Sequence, residues 1–239
     1  RYEIERLGIP MNETRARFDE ALEVLQALLT REEVSWDGHY YKFDPLTIMP
    51  RPLNPGGPPM MMAAVNPKAI YHCARQGYHV QTTPLAGSKS FLQEQVDAFN
   101  RGKDEAGEAG ANLTLTLLRV GFMCHSEMEK RERMQMAHAF LGRFDNVHEG
   151  DGIVDNGMVR ALPRHQPIDQ MAKNVLIGMK QEMIDKLSVF EEMGIDRIIL
   201  NVNFGCDPHE TLDSIQYFAE EVMPHFSDDN SGNTRRFVA

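Results

Sequence analysis

The stretch LTLTLLRVGFMCH, residues 113–125, constrains the fold more than any other part of the chain. From Leu117 to Cys124 it is apolar at most positions rather than at every second one. A strand of that kind is buried on both faces, which calls for a helix layer over it. Three shorter stretches, residues 60–65, 78–84 and 197–205, also read as strands, and each is followed by helical periodicity. One leading helix and then four strand-helix steps predict an α/β protein with a parallel sheet. No GxGxxG follows a strand: Gly102, Gly107 and Gly110 fall in a helix end and a loop, so a dinucleotide fold is unsupported. Four consecutive βα units point instead to the second half of an eight-fold (β/α)8 barrel of the TIM type.

Local signals punctuate this plan. Asn12 is expected to cap a helix carrying Phe18, Ala21, Leu22, Leu25, Leu28 and Leu29 at three- and four-residue steps. Asp37-Gly38 divides a short hairpin over residues 34–43, and a Pro/Gly-rich connection leads into the strand at 60–65. Asn66 offers a side-chain cap and Pro67 is pre-set for the first helical position. Ser90 with Gln93, and Ser126 with Glu129, have the spacing of capping boxes. Met134, Ala137 and Leu141 mark the helix after the long strand, and Asp207-Pro208 opens the last one. Residues 149–178 lose periodicity and are expected to form a lid-like insertion. Residues 1–226 are read as one partial barrel and 227–239 as a polar tail.

Composition narrows the partners. A net charge of -10 disfavours nucleic acid and anionic membrane, both of which need a basic face. Cys73, Cys124 and Cys206 are far apart and form no CxxC pair, so neither a disulfide framework nor a zinc site is supported. A reducing, cytoplasmic setting fits, and no apolar run approaches a membrane span. The chain starts at Arg1 without an initiator methionine and is expected to be part of something longer.

At this level of detail the order of motifs resembles a known family. RFDEALEVLQALL, VSWDGHYYKF, PRPLNPGGPPMMMAAVNPKA and ARQGYHV, followed by MGIDRIILNVNFG and YFAEEVMPHF, are similar to segments of the bacterial luciferase-like flavin-dependent monooxygenases. That resemblance implies a (β/α)8 barrel of which this chain holds strands five to eight. It also implies reduced FMN as cofactor, oxygen insertion into a small organic substrate, a flavin reductase as partner and a dimer at full length. The flavin itself activates oxygen, so little acid-base machinery is expected. Gly178-Met179-Lys180 stands where the family often has Gly-Thr-Pro, and 148–178 is shorter than the mobile segment of luciferases. Both departures point away from light emission. A deazaflavin-dependent oxidoreductase on the same barrel and a non-catalytic flavin-binding subunit are the alternatives.

Barrel chemistry sits at the carboxyl ends of the strands. Asn66 is either a plain helix cap or, by the resemblance, part of a phosphate cradle with Val65 and Lys68 at a helix N-terminus. Ala69 lacks the second hydroxyl that luciferases place there, and Lys68 offers charge in its stead. Thr83 ends the next strand, where the resemblance places a residue beside the flavin ring; a hydroxyl bonded to backbone is the plainer role. Arg119 interrupts an apolar strand with a charge that is costly to bury unpaired. It is either an outward arginine paired with a helix carboxylate or, as in alkanesulfonate-type members, a catalytic residue facing the substrate. Cys124 and His125 read as strand-end packing, and DGIVDNG as turn chemistry without calcium-loop spacing.

Overall fold

The computed structural model describes residues 2–54, 56–84, 88–148, 150–164 and 166–226. The polar tail therefore lies outside the described residues. Two compact units are present, Arg1–Met60 and Met61–Ala239.

The first unit holds helix α1 (Tyr2–Arg6), helix α2 (Thr14–Thr30) and an antiparallel hairpin of β1 (Val34–Asp37) and β2 (Lys42–Leu46). Asn12 does not cap α2. It lies in a short 3-10 turn, Met11–Glu13, and the Thr14 hydroxyl donates back to Met11 O at 2.9 Å. The hairpin turn is fastened to α2 by one carboxylate. Glu20 accepts backbone N–H bonds from His39, Tyr40 and Tyr41 and a bond from Trp36 Nε1 at 3.3 Å. Burial pushes the Glu20 pKa up, but these hydrogen bonds outweigh it and hold the carboxyl below its usual range.

The second unit is the parallel α/β layer that the apolar strands predict. Strands β3 (Met61–Ala63), β4 (His79–Thr82) and β5 (Leu115–Met123) lie side by side, and β9 (Arg197–Asn201) pairs with β5 on its other edge. Helices α3 (Pro67–Arg75) and α4 (Lys89–Glu105) make the first two crossovers. Their apolar faces close on Val80, Leu115 and Leu117 through Ile70, Ala74, Val96 and Phe99.

Helix α5 (Glu127–His148) then leads through a two-strand ribbon, β6 (Val154–Asp155) and β7 (Met158–Val159), and helix α6 (Ile168–Met171). At the end of this stretch the structure corrects the expectation from sequence. Leu176–Gly178, taken as the end of a lid, is a fully buried strand, β8, paired in parallel with Gly121–Met123. Thr114 O accepts from Val80 N of β4, and Cys124 N donates to Gly178 O of β8. Leu115 and Met123 instead turn their backbone groups to Asp196 and to the Ser214 hydroxyl of α8 (Pro208–Glu221). Even-numbered positions of β5 thus face β4 and β8, and odd-numbered ones face the β9 side. β8 continues the edge that β4 leaves after Leu117.

This placement decides the helix layers. The steps β3 to β4 to β5 run one way across the sheet, and β5 to β8 runs back. A right-handed crossover on a backward step must put its helix on the opposite face. Accordingly α5 packs Met134, Ala137 and Leu141 on Val120, Phe122 and Cys124, the face away from α3 and α4. Helix α7 (Lys180–Glu192) returns the chain forward to β9, and with α8 it closes on Met123, Leu176, Ile198 and Leu200.

Caps follow the backbone more than the motif. Asp207 caps α8, its carboxylate accepting from His209 N at 2.8 Å. Ser88, not Ser90, caps α4, since Ser88 has the extended backbone of a cap and accepts from Phe91 N. Ser126 accepts from Glu129 N as expected, while the Glu129 carboxylate reaches back to His125 N at 2.8 Å.

His79 ties the amino end of β4 to β5. Thr114 N–H donates to its Nδ1 at 3.1 Å, and the Thr114 hydroxyl lies 2.9 Å away. Only a neutral imidazole has an accepting Nδ1. Burial first, and then Arg197, hold the His79 pKa below 6.5. The folded chain therefore binds fewer protons than the unfolded one in this window. The contribution is complete above about pH 6.5 and is lost as pH falls towards the lowered folded value. His79→Gln keeps an acceptor without titrating, so its thermal midpoint should fall less between pH 7 and pH 5 than that of the parent. Equal slopes would mean that His79 has no share in the pH dependence.

Candidate functional site

The carboxyl ends of β3, β4 and β5 lie along one edge of the sheet, as parallel pairing requires. At the first of them Asn66 has extended backbone angles (φ -73, ψ 127) and Pro67 is the first helical residue. The Asn66 side-chain oxygen accepts from Lys68 N at 2.9 Å. This occupies one donor of the helix start. Asn66, Lys68 and Val65 are exposed. Gln95, a fully buried residue of α4, donates to Val65 O at 2.6 Å and fixes the strand end to the helix layer. Gln95 gave no signal in the sequence, since it sits at a core position of an apolar helix face.

The second strand end carries Thr83, and its hydroxyl donates to Leu118 O at 3.3 Å. The same carbonyl accepts from Arg119 Nη1 at 3.2 Å. The topology supplies the reason. β4 stops opposite Leu117 and β8 begins opposite Gly121, so Leu118 O lies in the gap between two strands. Thr83 and Arg119 satisfy a carbonyl for which the sheet provides no neighbour.

Arg119 shares a face with Leu117 and Gly121, as alternation requires, but that face is covered by α4 and α7. Its guanidinium lies over the Phe190 ring of α7, 5.6 Å from the centroid. The residue is 4% exposed, and burial alone pushes its pKa down to about 10. Neither expected arrangement is found. Arg119 faces away from the interior of the expected barrel, and it makes no ion pair with a helix carboxylate among the described residues. Nor does any hydrogen bond join the Asn66 turn directly to Thr83 or Arg119 among those residues.

At the third strand end Cys124 is packed into the core, and burial pushes its thiol up to about 12. Such a thiol is inert as a nucleophile. His125 is exposed and bonds the Asp213 carboxylate at 2.6 Å while stacking on Tyr217, with ring centroids 4.7 Å apart. This His-Asp-Tyr cluster joins the end of β5 to α8. It was not legible in sequence, because its members lie 88 residues apart. No cluster of metal-binding side chains is present among the described residues, and no helix there is long and apolar enough to cross a membrane.

A parallel sheet with its polar side chains and helix starts at the strand ends defines an α/β protein of the kind that binds ligands along that edge. The family model described as luciferase-like monooxygenase matches residues 1–197, and the chain belongs to that family. The oxygenase component of the flavin-dependent trigonelline monooxygenase of Acinetobacter baylyi is 26% identical over 208 residues, 84% of this chain and 57% of that protein. An F420-dependent glucose-6-phosphate dehydrogenase of Nakamurella multipartita is 23% identical over 223 residues, 91% and 63% of the two chains. Among solved structures, monooxygenase RslO1 from Streptomyces bottropensis superposes with a TM-score of 0.70 at 24% identity, covering 94% of this chain and 65% of that one. An F420-dependent secondary alcohol dehydrogenase gives 0.69 at 21% identity, over 90% and 63%. The chain thus spans about three fifths of the length of these relatives. Its named relatives include a flavin-dependent monooxygenase component and F420-dependent dehydrogenases.

Proposed function

We propose that the protein works as an FMN-dependent monooxygenase, oxidising a small organic substrate with oxygen and reduced flavin supplied by a separate reductase. The observation that carries this reading is the Asn66-Pro67-Lys68 turn. It sets the N-terminus of α3 at a strand end, with the exposed side chains of Asn66 and Lys68 beside it. The relative from Acinetobacter baylyi, described as an oxygenase component, supports both the flavin and the reductase. On this reading the second unit is the later part of a (β/α)8 barrel, the stretch ahead of β8 acts as its lid, and the complete protein is a cytoplasmic dimer. A deazaflavin-dependent dehydrogenase is the second reading, favoured by the F420-dependent relatives that match over most of the chain. Oxygen uptake driven by reduced FMN, set against substrate oxidation driven by F420, separates the two.

In the proposed site the phosphate meets the Ala69 N–H, the Asn66 amide and the Lys68 ammonium, while Thr83 lies nearer the flavin ring. Lys68 N–H leaves the donor set, since the Asn66 oxygen already holds it. Arg119, the expected catalytic residue, has no part in this site, because its side chain lies under α7. A charge-assisted bond is worth roughly 1.5–3 kcal/mol, so Lys68→Ala in the intact gene product should weaken FMN by about 10- to 150-fold. Riboflavin has no phosphate and should bind both forms alike. Equal weakening of both flavins would move the phosphate elsewhere.

A further inference from the structure

Among the described residues Arg119 and Arg133 are buried and the Arg164 side chain is 4% exposed, and the last two have carboxylates. Arg133 meets Glu210 at 2.7 Å and Glu129 at 3.7 Å, and Arg164 meets Asp145 at 3.4 Å. Arg119 is buried as deeply and has none. Its Nη1 is spent on Leu118 O, and its Nε has no partner. A guanidinium cannot shed its proton to escape this cost, so a buried one calls for a counter-ion.

The space beside it is suited to one. A cavity of about 540 Å3 lies over Arg119, between α4, α7 and the segment around α6. Lys89, Lys173 and Lys186 line it together with Arg119, and no carboxylate does so among the described residues. Four cations around one cavity run against the charge of a chain with a net -10. Lys186 has two of its three N–H groups committed, donating to Ala172 O and Val175 O at 2.9 Å, which leaves one to spare. Leu92, Val189 and Phe190 supply an apolar wall. The volume is in the range of small-molecule sites, which combine such walls with a few placed polar groups.

We propose that this cavity binds a small organic carboxylate. Its carboxylate accepts a charge-assisted bond from Nη2 of Arg119, since Nη1 is spent on Leu118 O and Nε is sealed from the cavity. Its apolar body rests on Leu92, Val189 and Phe190, and Lys89 and Lys173 guard the mouth. The site lies on the helix-covered face of the sheet and is separate from the Asn66 turn, so it does not depend on the flavin reading.

Benzoate is a suitable probe, titrated calorimetrically into the intact protein against chloride of equal ionic strength, with and without FMN. Saturable benzoate binding is expected, with FMN still bound. Arg119→Met should weaken it by about 10- to 150-fold, as loss of a charge-assisted bond implies. Lys173→Gln alters an exposed residue and leaves folding intact, and it should weaken binding several-fold. No binding beyond chloride, inorganic phosphate binding as well as benzoate, benzoate displacing FMN, or unchanged affinity in Lys173→Gln would each overturn the proposal.

Discussion

Gly102→Val is expected to destabilise the second unit by about 3 kcal/mol or more, at the upper end of what overpacking costs. Gly102 is a buried residue of α4 facing α3. A Cβ added there would come within 2.4 Å of Tyr71 O, 3.0 Å of Ala74 Cβ and 3.1 Å of Arg75 N. Two of these are backbone atoms of another helix, and no rotamer change moves them. Glycine inside a helix costs roughly 1 kcal/mol against alanine, so Gly102→Ala regains that much while forcing the helices apart. The clash should win even for alanine, and by more for valine. In a unit of this size the valine variant should unfold at least about 6 °C below the parent. A midpoint within about 2 °C would show that α3 can yield, and that the close approach is not what holds the layer.

Ile177→Ala should cost about 2–5 kcal/mol, as for any large aliphatic side chain removed from a core. Ile177 is 1% exposed and packs with Val120, Phe122, Met171 and Val175. Val154 and Met158 belong to the same weakly periodic stretch but are 51% and 64% exposed. Val154→Ala and Met158→Ala should stay within about 0.5 kcal/mol. Denaturant unfolding of the three variants distinguishes a lid that ends in the sheet from one that is free throughout. Similar small losses for all three would restore the loop reading of 149–178.

Much of this fold was legible because its signals are local. The stretches at 60–65, 78–84, 113–125 and 197–205 held β3, β4, β5 and β9, since strand-like stretches between helical periods mark strands covered by helices. Asn66-Pro67 and Asp207-Pro208 started helices as read, because a cap and a pre-set proline act within three residues. Asn12 and Ser90 failed as caps for an equally local reason. Several polar residues compete near a helix start, and backbone angles choose among them. The family was also legible, through motifs that kept their order.

What the sequence left open is non-local. Three residues, Leu176–Gly178, are too few for a period, so β8 emerges only where the edge of β5 that β4 has left is waiting for a partner. That one pairing sends α5 to the opposite face and strands Leu118 O in a gap that Thr83 and Arg119 fill. Alternation puts Arg119 with Leu117 and Gly121, but it cannot say which face the helices will cover. The sequence by itself determined the longer strands and helices, their order and the family. The tertiary structure decided the direction of each crossover, and with it whether Arg119 looks towards the interior of the expected barrel or into the helix layer. A side chain's period is set by its own strand, whereas its surroundings are set by chain dozens of residues away.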